Sequence, residues 1–360
     1  MPTFMDLFAG AGGMTAGFVR GGFQPVFAVE ADPDAAQTHR ANFGEHVYAG
    51  PIETIPVELF PRVDVLIGGP PCQGFSPLGR MTGGQSNRHL NVLIDEYARV
   101  VEAVLPEVFV VENVPHFLRS AEFAKFAERM HPNYVVRAAV LDASDFGVAQ
   151  RRRRAVVIGS RLGTLDPAQI PRTGRRTVGE AIGHLMPPEP PANDITRGQL
   201  FAGSMLHFPR NPTPVSVERY RQVPPGGNRF DLSRSRPDIT PRCWLDKASG
   251  STDVFGRLEW GDMALTIRTE FFKPEKGRYL HPSEHRAITH LEASLLQGFD
   301  ETFLWFGTKT SIARQIGNAV PPPFAEAIAK AVSAHMVCAD RPGLAVATDQ
   351  RTTAAHRADG

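Results

Sequence analysis

Four short segments carry residues whose types and spacing could do chemistry on a bound substrate. In GGPPCQGFSP, at 68–77, Cys72 follows an apolar run and two prolines. Pro70 and Pro71 stiffen the backbone, while Gly68, Gly69 and Gly74 leave room beside it, so the thiol is a candidate nucleophile. A lone cysteine is more often a small buried apolar residue. An active one must lose its proton, helped by nearby arginines or by transfer to substrate or solvent. In VVENVP, at 110–115, the apolar run ends in Glu112 and Asn113. A carboxylate at a buried strand tip is costly without a partner. It is either a capped strand end or buried ion pair, or an acid, base or base-edge reader beside the thiol. In QRRRR, at 150–154, alternation puts Arg152 and Arg154 on one face and Arg151 and Arg153 on the other. One pair can enter a cleft while the other faces outward. In DLFAGAGGMTAGF, at 6–18, Gly10, Gly12 and Gly13 allow a tight turn and close approach to a ligand. Glu30 lies twenty residues after Gly10 and could accept hydrogen bonds from ribose hydroxyls. The third glycine of a dinucleotide loop would fall at Thr15, so a nucleoside without a pyrophosphate fits better than a nicotinamide dinucleotide. Taken alone, the loop could equally be a plain strand–turn–helix corner.

These residues need a scaffold, and the first 160 or so positions supply one. TFMDLF, PVFAVE, DVLIGG and VFVVENV read as buried strands, short and rich in Val, Ile and Phe. Residues 34–42 and 91–104 have helical spacing, and YVVRAAVLDAS and RRAVVIGS add two strands near 134–160. Strand–helix alternation predicts a mostly parallel α/β sheet with helices on both faces. The carboxyl edge of such a sheet is where ligands bind. From about 165 to 280, Pro, Gly, Arg and Ser are frequent, which predicts a second domain of loops and short strands. FAEAIAKAVSAHMV, at 324–337, reads as a helix after three prolines. The last twenty or so residues have little to bury and read as a disordered tail.

Bulk properties exclude several classes. The chain has 360 residues, enough for about two domains at ~150 residues each. No apolar run reaches the ~20 residues of a membrane span, and MPTFMDLFAGAGG lacks the pattern of a secretory signal. An intracellular site of action is expected. Cys72, Cys243 and Cys338 are the three cysteines, too far apart for a disulfide framework or cysteine-rich zinc site, and the twelve histidines show no ligand spacing. No metal is expected. Net charge is +1, but 210–236 carries Arg210, Arg219, Arg221, Arg229, Arg234 and Arg236 against Glu218 and Asp231. Such a stretch is either a solvated face or a phosphate-contacting one.

The four segments, in this order, resemble the DNA cytosine-5 methyltransferase family of bacterial, restriction–modification type. LIDEYARVV around Leu93, HPSEHRAITHLEASLLQGF at 281–299 and RQIGNAVPP at 314–322 extend the resemblance over 3–160 and roughly 260–335. The family's variable middle is the part without a match. The resemblance implies a Rossmann-like S-adenosylmethionine-dependent methyltransferase sheet with a smaller target-recognition domain. It divides the chain into a catalytic domain (1–175 plus 308–338), a target-recognition domain (176–280), a hinge segment (281–307) and the tail (339–360).

It also implies roles. Cys72 would attack C6 of a cytosine flipped out of duplex DNA, and Glu112 would grip N3 and the exocyclic amine. Arg154 would reach O2, with Arg152 beside it. For the cofactor, Phe8 would lie against the adenine, Gly10 and Gly12 under the amino-acid moiety, and Glu30 on the ribose. Leu93 and Ile52 would line the adenine side and Asn318 would hold the methionine end, with Ala9, Gly13, Pro71 and Ala319 in the same contact set. Two positions depart from the family pattern. Pro51 stands where an acid often contacts the adenine amine, so Glu53 or a backbone group must substitute; Ala31 stands where some members have an aromatic. The expected partners are double-stranded DNA and a cognate restriction endonuclease. The chain is expected to act as a monomer on DNA, in the bacterial cytoplasm at the nucleoid, without a membrane. The competing readings are an RNA cytosine-5 methyltransferase of the same fold, a catalytically idle DNA-binding relative, and a nicotinamide oxidoreductase resting on the glycine loop alone.

Overall fold

The computed structural model describes residues 1–71, 88–189, 195, 198–246 and 249–339, without the side chains of 88–92. Cys72 and the tail beyond 339 therefore lie outside the described residues. Strands β1 (Thr3–Leu7), β2 (Gln24–Glu30), β3 (Val47–Ala49), β4 (Val65–Gly68), β5 (Val108–Asn113), β6 (Val135–Asp142) and β7 (Arg153–Ser160) form one sheet in the order β3-β2-β1-β4-β5-β7-β6. Neighbours from β3 to β5 run parallel, while β7 is antiparallel to both β5 and β6. Strand order reverses between β1 and β4, which makes their carboxyl edge the topological switch point where open α/β sheets bind ligands.

Alternation along the central strands sorts their side chains onto two cores. Phe4, Val65, Ile67, Val108 and Val110 face one side, packed on α1 (Gly13–Arg20) and the C-terminal helix Pro322–Ala339. Met5, Leu7, Leu66, Phe109 and Val111 face the other, packed against Ile94, Tyr97, Val101, Phe126 and Met130. Those five come from the helices Arg88–Val104 and Ala121–Met130. The same alternation places Asp6 and Glu112 on the α1 side. A Cβ added at Gly17 would lie 2.4 Å from Ala325 Cβ. Small residues on both helices are therefore what lets α1 and the C-terminal helix cross so closely.

That last helix begins at Pro322, inside the proline run rather than after it. Proline suits a first turn because its missing N–H has no helical partner there. Ala325 N–H is the donor that closes the turn, onto Pro321 O at 3.1 Å.

The middle region has loops and short strands, at Leu200–Ala202, Gly256–Arg257 and Arg278–Leu280, together with helices its sequence did not announce. It contains short helices at Val178–Ile182, Pro214–Arg221, Arg229–Ser235 and Arg242–Leu245. Helices of one or two turns are too short for a legible apolar period, and caps hold them instead. Thr177 and Asn228 form capping boxes with Glu180 and Asp231. A small separate core of Tyr220, Val223, Leu232, Phe255 and Leu280 holds the outer part of this region. Residues from 178–208 and 258–316 instead share one core with Ala11, Ala149 and Ala319 of the sheet side.

Arg257, 2% exposed, joins the small core to the segment after it. Its guanidinium donates to the carbonyls of Tyr220, Val223, His281 and Glu284. Burial alone lowers its pKa to about 10. Four carbonyls suffice to hold a delocalised cation that a compact ammonium would satisfy less well.

Candidate active site

A cavity of about 450 Å³ opens at the switch point, within the usual range for small-molecule sites. One end is made by the turn after β1. Phe8 adopts φ 62°, in the left-handed region, Gly10 φ 56° and Gly12 φ 91°. Such a conformation in a non-glycine residue such as Phe8 costs on the order of 1–2 kcal/mol. A side chain at Gly12 would also collide with the Phe43 ring, 2.3 Å from the added Cβ. Gly12 thus shapes the turn from behind, while Phe8, Ala9, Gly10 and Gly13 line the cavity.

Glu30 closes this end from the tip of β2. Its two carboxylate oxygens accept from Gly10 N and Asp32 N, each at 2.7 Å. Burial raises its pKa, and these two backbone donors oppose the rise. Carboxylates held by fixed N–H groups are pre-aimed, and each oxygen keeps acceptor capacity for a ligand hydroxyl. The wall continues through Pro51, Ile52 and Leu93, with Glu53 at its edge. Arg314, paired to Asp32 at 2.6 Å, and the exposed Asn318 close it from the C-terminal segment. Next to Asn318, Gly317 packs against the backbone of Arg268 and Thr269, where an added Cβ would lie 2.4 Å from Thr269 N.

The other end of the cavity holds Glu112 and Arg154 with Gly69, Pro70 and Pro71. Glu112 is 8% exposed. Arg154 Nε lies 2.7 Å from Glu112 Oε1, yet that oxygen has no hydrogen-bond partner among the described residues. The two observations agree once angle is considered: the pair is close enough for charge attraction, but the N–H is not aimed at the oxygen. Oε1 is left as a buried acceptor facing the cavity, a group that is costly unless a ligand donor meets it.

Arg152 and Arg154 do face inward while Arg151 and Arg153 are exposed, but the inward pair divides. Arg152 donates to Ile267 O at 3.2 Å and Gly317 O at 3.1 Å. It clasps the segment at 264–269 to the end of the helix Lys309–Asn318.

Sequence reasoning overlooked the amides that hold these parts in place. Asn113 Nδ2 donates to Pro70 O at 3.2 Å, fixing the backbone at Pro70, two residues before Cys72 in sequence. Gln150 Nε2 donates to Gln297 Oε1 at 2.6 Å, and Gln297 Nε2 donates to Ile316 O. Gln150 Oε1 also accepts from Ile267 N. Both glutamines sit inside quoted motifs, but their partners lie more than a hundred residues apart in some cases, where no local pattern points.

The basic stretch also reads differently in three dimensions. Arg229 is buried, stacked 4.4 Å over the Phe230 ring and bonded to Ser249 O. Arg219 donates to Ile239 O, and Arg210 to Phe272 O. Arg236 pairs with Asp238 and Glu218. Arg221 and Arg234 pair with Glu218 and Asp231 but stay 57% and 73% exposed, respectively. Exposed pairs of this kind are weak, so these two can exchange their partners for phosphate.

Residues 2–334 match the model of the C-5 cytosine-specific DNA methylase family. The chain is 35% identical over 350 residues to the Type II methyltransferase M1.HphI of Haemophilus parahaemolyticus, covering 92% of this chain and 86% of that one. It is 33% identical to the Type II methyltransferase M.XorII of Xanthomonas oryzae pv. oryzae, covering 91% and 83%. Among solved structures it is similar to a DNA modification methyltransferase encoded within an E. coli prophage, with a TM-score of 0.71 and 25% identity over 94% of this chain and 100% of that one.

Proposed function

The chain belongs to the C-5 cytosine-specific DNA methylase family, and from that membership we propose which of its residues carry the reaction. The enzyme transfers a methyl group from S-adenosylmethionine to carbon 5 of cytosine in DNA. S-adenosylmethionine supplies the methyl group and belongs at the end of the cavity formed by Phe8, Gly10, Glu30, Ile52, Leu93 and Asn318. The pre-aimed Glu30 carboxylate suits ribose hydroxyls, and the turn at 8–13 brings backbone close to the amino-acid end. With Pro51 at the adenine edge, the backbone of 50–52 or the Glu53 carboxylate takes over the amine contact.

Cytosine C5 is a poor nucleophile. The Cys72 thiolate adds to C6, forming the S–C6 bond, while N3 takes a proton from Glu112. C5 then behaves as an enamine carbon and accepts the methyl group. Loss of the C5 proton to a base, cleavage of the S–C6 bond and return of the N3 proton to Glu112 restore the aromatic ring, the thiolate and the acid. Arg154 supports this by bonding O2 and by holding Glu112 near its charge. Arg152 acts as a positioning residue, as does Asn113, which fixes the backbone at Pro70 just before Cys72 in sequence. The observation that carries this reading is the unsatisfied Oε1 of Glu112, buried beside Arg154 in the same cavity as Glu30 and Asn318.

The target base must leave the duplex to reach that acceptor. We assign sequence recognition to the region 176–280 and hinge duty to 281–307, with 1–175 and 308–338 as the catalytic part. A cognate restriction endonuclease is the partner that fits the Type II relatives. The chain acts as a monomer on DNA at the bacterial nucleoid. Expression in a host without cytosine-C5 methylation, followed by bisulfite sequencing, tests the whole reading. Protected cytosines are expected in one recurring duplex context; unmodified DNA alongside methylated RNA would overturn it.

Within the small lobe, Arg221→Ala and Arg234→Ala are expected to weaken binding to cognate and non-cognate duplexes alike. Each should shallow the salt dependence by about one unit of slope, the signature of a lost phosphate contact. A loss of roughly 1–3 kcal/mol at one base pair only would instead make that arginine a guanine reader. Arg229→Ala should lower the stability of the lobe, because it leaves the Ser249 carbonyl and the Phe230 face without their cation. Titrations at several salt concentrations, with urea denaturation, separate the three outcomes.

A further inference from the structure

The reaction above leaves one buried acid of the cavity without a task. Asp6 lies on β1 with its neighbours Met5 and Leu7 turned to the opposite core. It is 1% exposed, yet it borders the cavity beside Phe8 and Gly10. Oδ2 accepts from Thr15 Oγ1 at 2.5 Å, and that hydroxyl also lies 3.1 Å from His39 Nε2. Among the described residues Asp6 has no ion-pair partner. A buried carboxylate with only the Thr15 hydroxyl and backbone N–H as donors and no cation is held in its charged form at a cost.

The groups around it sharpen the point. Glu30 on β2 repels its charge. Tyr97, on the helix Arg88–Val104, is kept neutral by burial and by Asp6. His39, on the helix Pro33–Phe43, is lowered to about 3 by burial first and then by His46 and Arg40, so it adds no positive charge. Asp32 and Arg314 are paired with each other, as are Glu112 and Arg154, and Arg152 is engaged by carbonyls. Glu53, at the cavity edge, is a further acid. Burial foremost, then Glu30, raises Asp6 to about 7 against the opposing Thr15 side-chain and backbone bonds. A cation placed in the cavity would tip this balance toward the carboxylate.

The methyl donor and its demethylated product differ by one such charge. S-adenosylmethionine carries a sulfonium cation where S-adenosylhomocysteine has a neutral thioether. We propose that Asp6 is the residue by which the cavity tells donor from product, ionised against the bound sulfonium and protonated against the thioether. Donor binding then releases a proton from Asp6 to solvent, and replacement of donor by product takes one up. The discrimination favours release of product, since the product gains nothing from the carboxylate. It rests on the reading that this cavity holds S-adenosylmethionine.

Calorimetry on the full chain, in buffers of different ionisation heat between pH 6 and 8, counts the protons directly. At pH 7, donor binding should release about half a proton, because a group with a pKa near the working pH is half protonated. Product binding should release almost none. The sulfonium makes the donor's α-amino group the more acidic of the two, so Asp6→Asn supplies the baseline for that group's protonation change. The sign for affinity follows: the ionised form binds the donor. The donor-to-product affinity ratio should therefore rise with pH up to about 7, by at most about tenfold per unit, and level off above it. Asp6→Asn should keep product binding, reduce the difference in proton release to the amino-group baseline and lower the ratio. Equal proton release for both wild-type ligands would overturn the assignment, as would a difference of the same size in Asp6→Asn. Failure of both ligands to bind would overturn the cofactor reading itself, and the assignment with it.

Discussion

Cys72→Ala is expected to abolish methyl transfer while binding of DNA and S-adenosylmethionine stays close to wild type. The expected loss is on the order of 10⁶-fold, the scale seen when a covalent nucleophile is removed. The reason is chemical. Without addition at C6, C5 stays part of an aromatic ring and offers almost no nucleophilicity to the methyl donor. The cofactor contacts proposed above do not include this thiol, so binding should survive. Cys243→Ala and Cys338→Ala are the matched controls, since both thiols are exposed and neither borders the cavity. Both should remain active. A duplex with 5-fluorocytosine at the target gives the same test a covalent readout. Fluorine at C5 cannot leave as a proton, so the enzyme should be trapped through Cys72 in a denaturation-resistant adduct that forms only with the methyl donor present. Residual activity in Cys72→Ala near the wild-type rate, or no adduct on a duplex that is otherwise methylated, would overturn the nucleophile assignment.

Glu112→Gln should slow the chemical step by roughly 10²–10⁴, the usual contribution of a positioned acid or base. The substitution keeps shape and removes only the acid. Its amide can still meet the exocyclic amine or N3 by hydrogen bonding, but it cannot supply a proton. The effect should appear in single-turnover rates with saturating DNA, while the dissociation constant for S-adenosylmethionine changes little. Glu112 stands at the tip of β5 and Glu30, proposed above for the ribose, at the tip of β2, with β1 and β4 between them, which is why the two readouts can separate. Arg154→Ala at the same site should behave differently again. It removes the charge beside Glu112 and leaves that buried carboxylate uncompensated, so stability as well as rate should fall. A Glu112→Gln variant that lost cofactor affinity but kept its single-turnover rate would move Glu112 out of the base pocket.

The relation of Arg152 to Arg154 shows why substitutions in one motif need not act alike. Both face inward from QRRRR, and composition cannot tell them apart. Arg154 lies on β7 opposite the end of β5, where Glu112 stands. Arg152 precedes the strand and meets carbonyls of Ile267 and Gly317, 115 and 165 residues away. Its work is to keep the segment after the small lobe seated against the wall that ends in Asn318.

By itself, the sequence determined the parts of this protein whose physics is local. Central strands such as VLIG and VFVVEN are buried on both faces, and continuous apolar runs with glycine and proline stops announce them. The turn at 8–13 depends on glycines at particular positions, and Glu112 stands at a strand tip whatever surrounds it. These features hold in a window of a few residues, so they are legible there. Tertiary structure decided whatever depends on contact between distant segments. Only the fold buries Arg229 while leaving Arg221 and Arg234 on the surface, because burial belongs to the Tyr220–Phe255 core and not to the charge run. Only the fold joins Gln150 to Gln297 and Asn113 to Pro70. The short helices of the middle region had no period long enough to read, and their caps and neighbours stabilise them instead. Asp6 is the sharpest case. Its place in DLFAG marks the end of a strand, but its carboxylate acquires chemistry only when burial, Thr15 and Glu30 close around it beside an open cavity.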